Sequence, residues 1–332
     1  MNKVLVVGDA NVDIVVHFPQ YLNNDRTKVK YSEPRFCLGG TAANTASGLQ
    51  RLGVSTSFAG TIGQDSYGKF VQESLHNQGI DITNLNVDAG VETVGVFAFV
   101  DEFGERYLWA WPRKNQAFKE LTWNASLQQS VRNSRWVHAS GMCMSFPGSA
   151  QQTMLTIFKE AFANNIPISF DLNCRCDDRQ IDSDFMTYLH EALALSTFIL
   201  GSGPEELEHI GPGDWRENAQ SFANQGHTVI ARDGANGAYI YSPSTIETKT
   251  NCVHIPAFNV EVIDTIGAGD AFDAGFISGI LQGKDLYDAV VYANGVSGYT
   301  VSHIGAYSTP TKQQLTDFLT NTIQRSQYET VS

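Results

Sequence analysis

At 332 residues the chain is long enough for one large α/β domain with an elaboration, or for two ordinary domains. A content of 42% hydrophobic and 17% charged residues excludes disorder, collagen-like repeats and coiled coils. With 22 Lys and Arg against 35 Asp and Glu, the formal charge of −13 repels polyanions, so no nucleic-acid partner is expected, although helix N-termini can still hold a small anion.

Val4 to Val7 is a continuous apolar run closed by Gly8, the pattern of a strand buried on both faces of a parallel sheet. From Asn11 to Phe36 polar-interrupted segments, including Val12 to Val16 and Lys28 to Tyr31, read as half-exposed antiparallel strands. The same texture returns in Thr93 to Val100 and Arg106 to Trp111, joined by a hairpin turn at Asp101 to Glu105. These two separated insertions are expected to build one small sheet.

Elsewhere strands and helices alternate, as βαβ units of a parallel sheet do. Helices are expected at Thr41–Leu52, Ser66–Asn77 and Gly148–Asn164, with strands at Thr56–Ala59, Trp136–Ala139, Ile166–Phe170, Thr197–Leu200 and Thr228–Ala231. A hairpin of Ala238–Tyr241 with Thr245–Lys249 follows, then helices near Ala268–Leu281, Leu286–Ser302 and Gln313–Ile323, and a frayed acidic-polar tail. The five cysteines are scattered without a CxxC pair, so neither a disulfide framework nor a zinc site is signalled and a reducing cytoplasm is expected. No stretch reaches the apolar length of a secretory or membrane segment, so no membrane partner is expected. The eight His lack metal-ligand spacing.

The segment Asp264 to Phe276 carries the most chemistry. Phe272, Phe276 and Ile280 fall four apart on one buried helix face whose first turn holds Asp270. Gly267, Ala268 and Gly269 ahead of it leave unencumbered backbone N–H groups at a helix N-terminus, an anion hole for phosphoryl oxygens. Asp270 beside it can take a proton from an attacking hydroxyl, or simply complement the helix dipole. A second glycine-rich segment, Leu38 to Ala46, pairs Gly39 and Gly40 with Asn44, a neutral donor and acceptor suited to hydroxyl groups; a plain loop-to-helix turn would read the same way. Gly8 to Asn11 does not match G-x-G-x-x-G, so the dinucleotide-binding reading lacks its fingerprint.

In order and spacing these segments resemble the ribokinase-like (PfkB) carbohydrate kinase family over nearly the whole chain. Asp264 to Phe276 looks like its C-terminal D-T-x-G-A-G-D signature, Gly39-Gly40 with Asn44 like its G-G-x-x-x-N signature, and Gly8 to Asp13 like its opening sugar-site strand; Gly104-Glu105-Arg106 sits on the hairpin. The resemblance implies an α/β fold with a central, mostly parallel sheet flanked by helices. It places residues 1–10, 37–91 and 113–325 in the large domain and 11–36 and 92–112 in a small β lid. It implies that Asp270 is the catalytic base and that Gly267, Ala268 and Gly269 form the anion hole. Asn11, Asp13, Gly39, Gly40 and Asn44 would bind sugar hydroxyls. Asn173 and Arg175 of a D-x-N-x-R segment would lie near the phosphates, although Asp171 and Arg175 could equally be a structural ion pair. Arg232, Gly234 and Gly237 resemble the nucleotide loop, and Asn294, Gly305 and Ala306 lie where the family closes over adenine. ATP and Mg²⁺ are the implied cofactors, with Glu205 acting on the metal through water.

Three positions depart from the family pattern. Ser202 replaces the Asn of N-x-x-E, Ile266 replaces a common Thr, and the short Gly305 to Ser308 segment speaks against a monovalent-cation site. No Arg or Lys cluster accompanies the sugar motifs, which favours a neutral acceptor. The expected function is transfer of the ATP γ-phosphoryl to a hydroxyl of a small carbohydrate, with a homodimer through the lid as the expected assembly. One alternative is a nucleoside kinase, for which Phe97, Phe99, Trp109 or Trp111 could line a base pocket; the other is a non-catalytic sugar- or nucleotide-binding protein.

Overall fold

The computed structural model describes residues 2–17, 33–100, 106–174, 183–243, 252–305, 308–322 and 324. The first half of the chain supplies β1 (Val4–Val7), β2 (Asn11–His17), β3 (Arg35–Gly39), α1 (Thr41–Arg51), β4 (Thr56–Gly63), α2 (Ser66–Asn77), β5 (Asp81–Asp88), β6 (Gly95–Val100), β7 (Arg106–Trp111), α3 (Ala125–Arg132), β8 (Trp136–Ser140) and α4 (Ser149–Ala163). The second half supplies β9 (Ile168–Asp171), α5 (Ser183–Leu195), β10 (Phe198–Ser202), α6 (Trp215–Asn224), β11 (Thr228–Arg232), β12 (Ala238–Tyr241), β13 (Cys252–Ile255), α7 (Ala268–Leu281), α8 (Leu286–Val301) and α9 (Lys312–Asn321).

Nine strands form the large sheet in the order β13-β12-β11-β10-β9-β8-β1-β4-β5, parallel from β11 to β5 and antiparallel at β12 and β13. All four side chains of β1 are buried, and the strand pairs in parallel with both β4 and β8. Its alternation serves two cores: Leu5 and Val7 join the layer of α3 to α6, while Val4 and Val6 join the layer of α1, α2, α7 and α8. Polar side chains start several of the helices. Asp65 accepts from the Gly68 N–H at the head of α2, and Asp214 with Glu217 forms a capping box on α6.

The small sheet runs β3-β2-β6-β7. Its central pair corrects the all-antiparallel expectation, because β2 and β6 run parallel from Val12↔Gly95 to His17↔Val100. Two strands that enter from separate points of the large domain need not share a hairpin, so the pairing sense is open until both are placed. β3 also continues to Gly39, past the expected boundary at residue 36. The expected strand at 28–31, the turn at 101–105 and the strand at 245–249 lie outside the described residues; the antiparallel partner of β12 is Cys252–Ile255.

Candidate active site

The parallel strands end on one edge, where open α/β sheets bind ligands. Asp9 follows β1, while Ser140, Asp171, Ser202 and Arg232 close β8, β9, β10 and β11. The Asp9 carboxylate accepts hydrogen bonds from Thr41 N (2.9 Å), Thr41 Oγ1 (2.9 Å) and Ala42 N (3.2 Å), so it caps α1 and is not offered to a ligand as a free carboxylate. Gly40, at φ 97°, makes the turn into α1; a Cβ there would sit 2.7 Å from the Asp9 carbonyl oxygen. One turn into α1, Asn44 Nδ2 donates to Asp270 Oδ2 at 2.9 Å. The two glycine-rich segments, far apart in sequence, thus meet at the base candidate.

Gly267 enters α7 in the left-handed region at φ 75°, and Asp270 is buried in the first turn. Burial pushes the Asp270 carboxyl up to about 8; the neighbouring carboxylates of Asp171 and Asp9 push the same way, against the Asn44 hydrogen bond and the Arg232 charge. The Ala268 N–H donates to the Thr265 carbonyl at 3.2 Å and is engaged inside the turn. Asp264 ties this turn to the far wall, accepting from Ile266 N (3.0 Å) and from Gly305 N (2.6 Å).

Arg232 lies beneath the same turn. It donates to Asp273 Oδ1 (2.7 Å), Asp171 Oδ1 (2.5 Å) and the Gly269 carbonyl (3.3 Å), with Glu206 Oε2 3.6 Å away. A Cβ on Gly269 would approach the guanidinium to 3.3 Å. Burial and mutual repulsion push Glu206 up to about 7 and Asp273 well above the usual carboxylate range. Asp171 therefore pairs with Arg232, and Arg175 lies outside the described residues.

A cavity of about 1090 Å³ opens above these groups, between the strand ends and the small sheet. From β2 and the start of α1 it is lined by Asn11, Asp13, Gly40 and Asn44, with Asn11 Nδ2 donating to Asp13 Oδ1 at 2.8 Å. Gly39 is not on the wall; its lack of a side chain clears space for the Asp13 carboxylate, 2.3 Å from where a Cβ would stand. From the loops after β9, β10 and β11 and from α8 and the turn after it, the wall holds Asn173, Glu205, Gly234, Gly237, Asn294 and Gly305. The Asn294 amide donates to the Ile255 and Pro256 carbonyls (3.2 Å each), so it anchors the end of β13 as well as lining the cavity. Glu205 is exposed, and Ala306 lies outside the described residues.

The small sheet turns the alternate face to the cavity from the one expected to hold a base. Val96, Ala98, Leu108 and Ala110 line the wall, so Phe97, Phe99, Trp109 and Trp111 point the other way. There they stack on one another, with ring centroids 5.3 Å apart for Phe97–Trp109 and 6.0 Å for Trp109–Trp111. The aromatic base pocket is not formed, because the parity of β6 and β7 is fixed by what the opposite face meets.

Several residues of the wall and of the ion network beneath it are not among the expected site residues. Glu206 is one position beyond Glu205, and Asp273 is three residues after Asp270 on the same helix face, a spacing that signals shared surroundings. Arg113 and Lys119 reach the cavity from the segment after β7 and carry no local signature. His138 is buried and hydrogen-bonded to Ser169 Oγ, with burial holding it down at about 3. Among the described residues no group of three or more His, Cys, Asp or Glu could hold a metal ion, four cysteines are free, and no helix is long and apolar enough to cross a membrane.

Fold and site together define an α/β protein with a glycine-turned helix N-terminus and a buried carboxyl facing one large cavity. The chain belongs to the pfkB family of carbohydrate kinases, whose family model matches residues 1–313. It is 28% identical to an ATP-dependent ribose-1-phosphate kinase of Halopiger xanaduensis, over 96% of this chain and 98% of that one. It is 24% identical to a 5-dehydro-2-deoxygluconokinase of Bacillus licheniformis, over 95% of each. The fold is that of the fructokinase from Xylella fastidiosa solved with bound ATP, with a TM-score of 0.79 at 22% identity, over 96% of this chain and 98% of that one.

Proposed function

We propose that the protein transfers the γ-phosphoryl group of ATP to a hydroxyl of a small carbohydrate, with Asp270 as the catalytic base. The observation that carries this reading is the Asn44–Asp270 hydrogen bond, which joins the two family signatures at one buried carboxyl on the cavity wall. The acceptor hydroxyl oxygen forms the new bond to the γ-phosphorus, the bond from that phosphorus to the β–γ bridging oxygen breaks, ADP leaves, and the hydroxyl proton passes to Asp270. Charge building on the transferring oxygens faces the N-terminal turn at Gly267 to Gly269.

Asn11, Asp13 and Asn44 orient the acceptor, and the side of Asn173, Gly234, Gly237 and Asn294 takes the nucleotide. Mg²⁺ bound with the nucleotide would neutralise phosphate charge. The wall suits an ion that arrives on its phosphates, since Glu205 is an exposed carboxylate there and no protein cage exists among the described residues. The inner face of the small sheet roofs the acceptor and excludes water that would otherwise take the phosphate. Its outer face, with Phe36, Tyr107, Trp109 and Trp111 exposed, is proposed to pair with a second copy of the chain.

ADP release measured over a panel of pentoses, hexoses, sugar acids, sugar phosphates and nucleosides tests the activity. At least one carbohydrate should drive ATP consumption, and Asp270→Asn should lower kcat for it by ~10²-fold or more. Silence across the panel, or a fully active Asp270→Asn protein, would overturn the reading.

A further inference from the structure

Of the cationic side chains on the described cavity wall, Arg232 is held by Asp171, Asp273 and Glu206, whereas Arg113 and Lys119 form no ion pair among the described residues. Both come from the short segment that leaves β7, the edge strand of the small sheet that roofs the cavity. That segment is built to a fixed shape. Glu92 N donates to the Asn115 carbonyl (2.8 Å), Ala117 N to the Glu92 carbonyl (2.9 Å), and Gln116 Nε2 to the Pro112 carbonyl (2.9 Å).

Lys119 follows the buried Phe118, and its Nζ lies 4.8 Å from the ring centroid of Phe146 and 5.8 Å from that of Phe118. The adjacent carboxylate, Glu120, instead accepts from Ser149 Oγ at 2.5 Å. Partial burial pushes the Lys119 ammonium below its ordinary value. A part-buried ammonium resting against aromatic faces, with the neighbouring Glu120 charge in its favour but no ion pair among the described residues, gains from an anion placed beside it. The protein's formal charge of −13 repels anions at long range, so an anionic acceptor needs such local cations to stay bound.

We propose that the acceptor is an anionic carbohydrate whose phosphate or carboxylate docks on Arg113 and Lys119, with its reactive hydroxyl toward Asp270. The proposal rests on the reading of this cavity as the acceptor site. Cations outside the sugar motifs thus reverse the preference for a neutral acceptor that the motifs alone suggest.

Matched acceptors test it: D-ribose against ribose 1-phosphate and ribose 5-phosphate, and D-glucose against D-gluconate, each with ATP. An anionic member should exceed its neutral partner in kcat/KM by about 100-fold, the scale of a charge-assisted pair. Success of the phosphates alone or of gluconate alone identifies the anionic group. In Arg113→Gln/Lys119→Gln the preferred anion should lose about 30-fold in kcat/KM, with KM for ATP and the neutral sugar's kcat/KM changed less than about threefold. Neutral sugars turned over as well as their anionic partners would overturn the proposal and leave the kinase reading intact. Equal losses on both acceptors in a variant of wild-type melting temperature would also overturn it. Calorimetry without ATP keeps the two failures apart: anion binding that needs Arg113 and Lys119 but leads to no turnover would leave an anion site on these two residues while overturning the kinase reading and, with it, the anion's role as acceptor.

Discussion

The floor of the cavity and its roof are built on opposite principles. The floor is a buried network in which Arg232 holds Asp171 and Asp273 beneath the α7 turn, with Glu206 alongside and Asp270 above. The roof is a small sheet of apolar and short side chains, contributing Val96, Ala98 and Ala110 to the wall, with its large aromatic groups on the far side. Groups that perform one reaction need fixed mutual geometry, which a buried network supplies; groups that choose an acceptor need only match its shape and charge.

Breaking the floor should have the largest effect. Arg232→Met strands three acids in a buried site and should cost about 3–5 kcal/mol of stability at neutral pH. The loss should shrink toward pH 4, where Glu206 and Asp273, both raised by burial, hold their protons, and denaturant melts at both pH values would check it. A variant as stable as wild type at pH 7 would mean that the ion network does not organise the floor.

A change on the acceptor side should leave the floor intact. Asp13→Ala should weaken acceptor binding by about 1.5–3 kcal/mol, the scale of a hydrogen bond to a charged group, with ATP affinity unchanged. Calorimetry with each ligand separately would decide it; equal losses for both would erase the division between acceptor and nucleotide sides.

The outer face of the roof should matter least to turnover. Trp109→Ser/Trp111→Ser should shift a dimer to monomer in light scattering while changing kcat less than about threefold, since neither ring reaches the cavity. A wild-type protein that is already monomeric at micromolar concentration would remove the pairing role.

The floor was more legible than the roof because its requirements are local. Gly40 and Gly267 stand where the backbone takes positive φ, and Asp270 follows Gly267 by a fixed spacing, so residue type and interval carry the geometry. The helices Ser66–Asn77 and Ala268–Leu281 coincide with their expected bounds for the same reason. The Arg232 network joins β9, β11, the loop after β10 and α7, and no interval in one chain encodes such a meeting. In the roof, strand texture was visible, but the parallel β2–β6 pairing and the face turned to the cavity depend on neighbours. β5 is not legible in the sequence, because an edge strand that is half-exposed along its length lacks a clean apolar pattern. α6 is different: its capping box at Asp214 and Glu217 is a signal contained entirely in the local sequence.

Asp270 also sets the pH behaviour. Its carboxyl is raised from 3.8 to about 8 by burial, so the native state keeps a proton that the unfolded chain releases. Stability from this group is full below about pH 3.8 and is lost as pH rises to about 8. Asp270→Asn should therefore gain melting temperature over wild type progressively across that window. The proposed catalytic role runs the other way, since a base must be deprotonated to act.

The most direct measurement is the pH profile of kcat/KM for the best acceptor, at saturating ATP, from about pH 5.5 to 9.5, in wild type and Asp270→Asn. The wild-type rate should rise about tenfold per pH unit and level off near 8, and the variant should be slow and lack that limb. A flat wild-type profile, or the same rising limb in Asp270→Asn, would contradict Asp270 as the base.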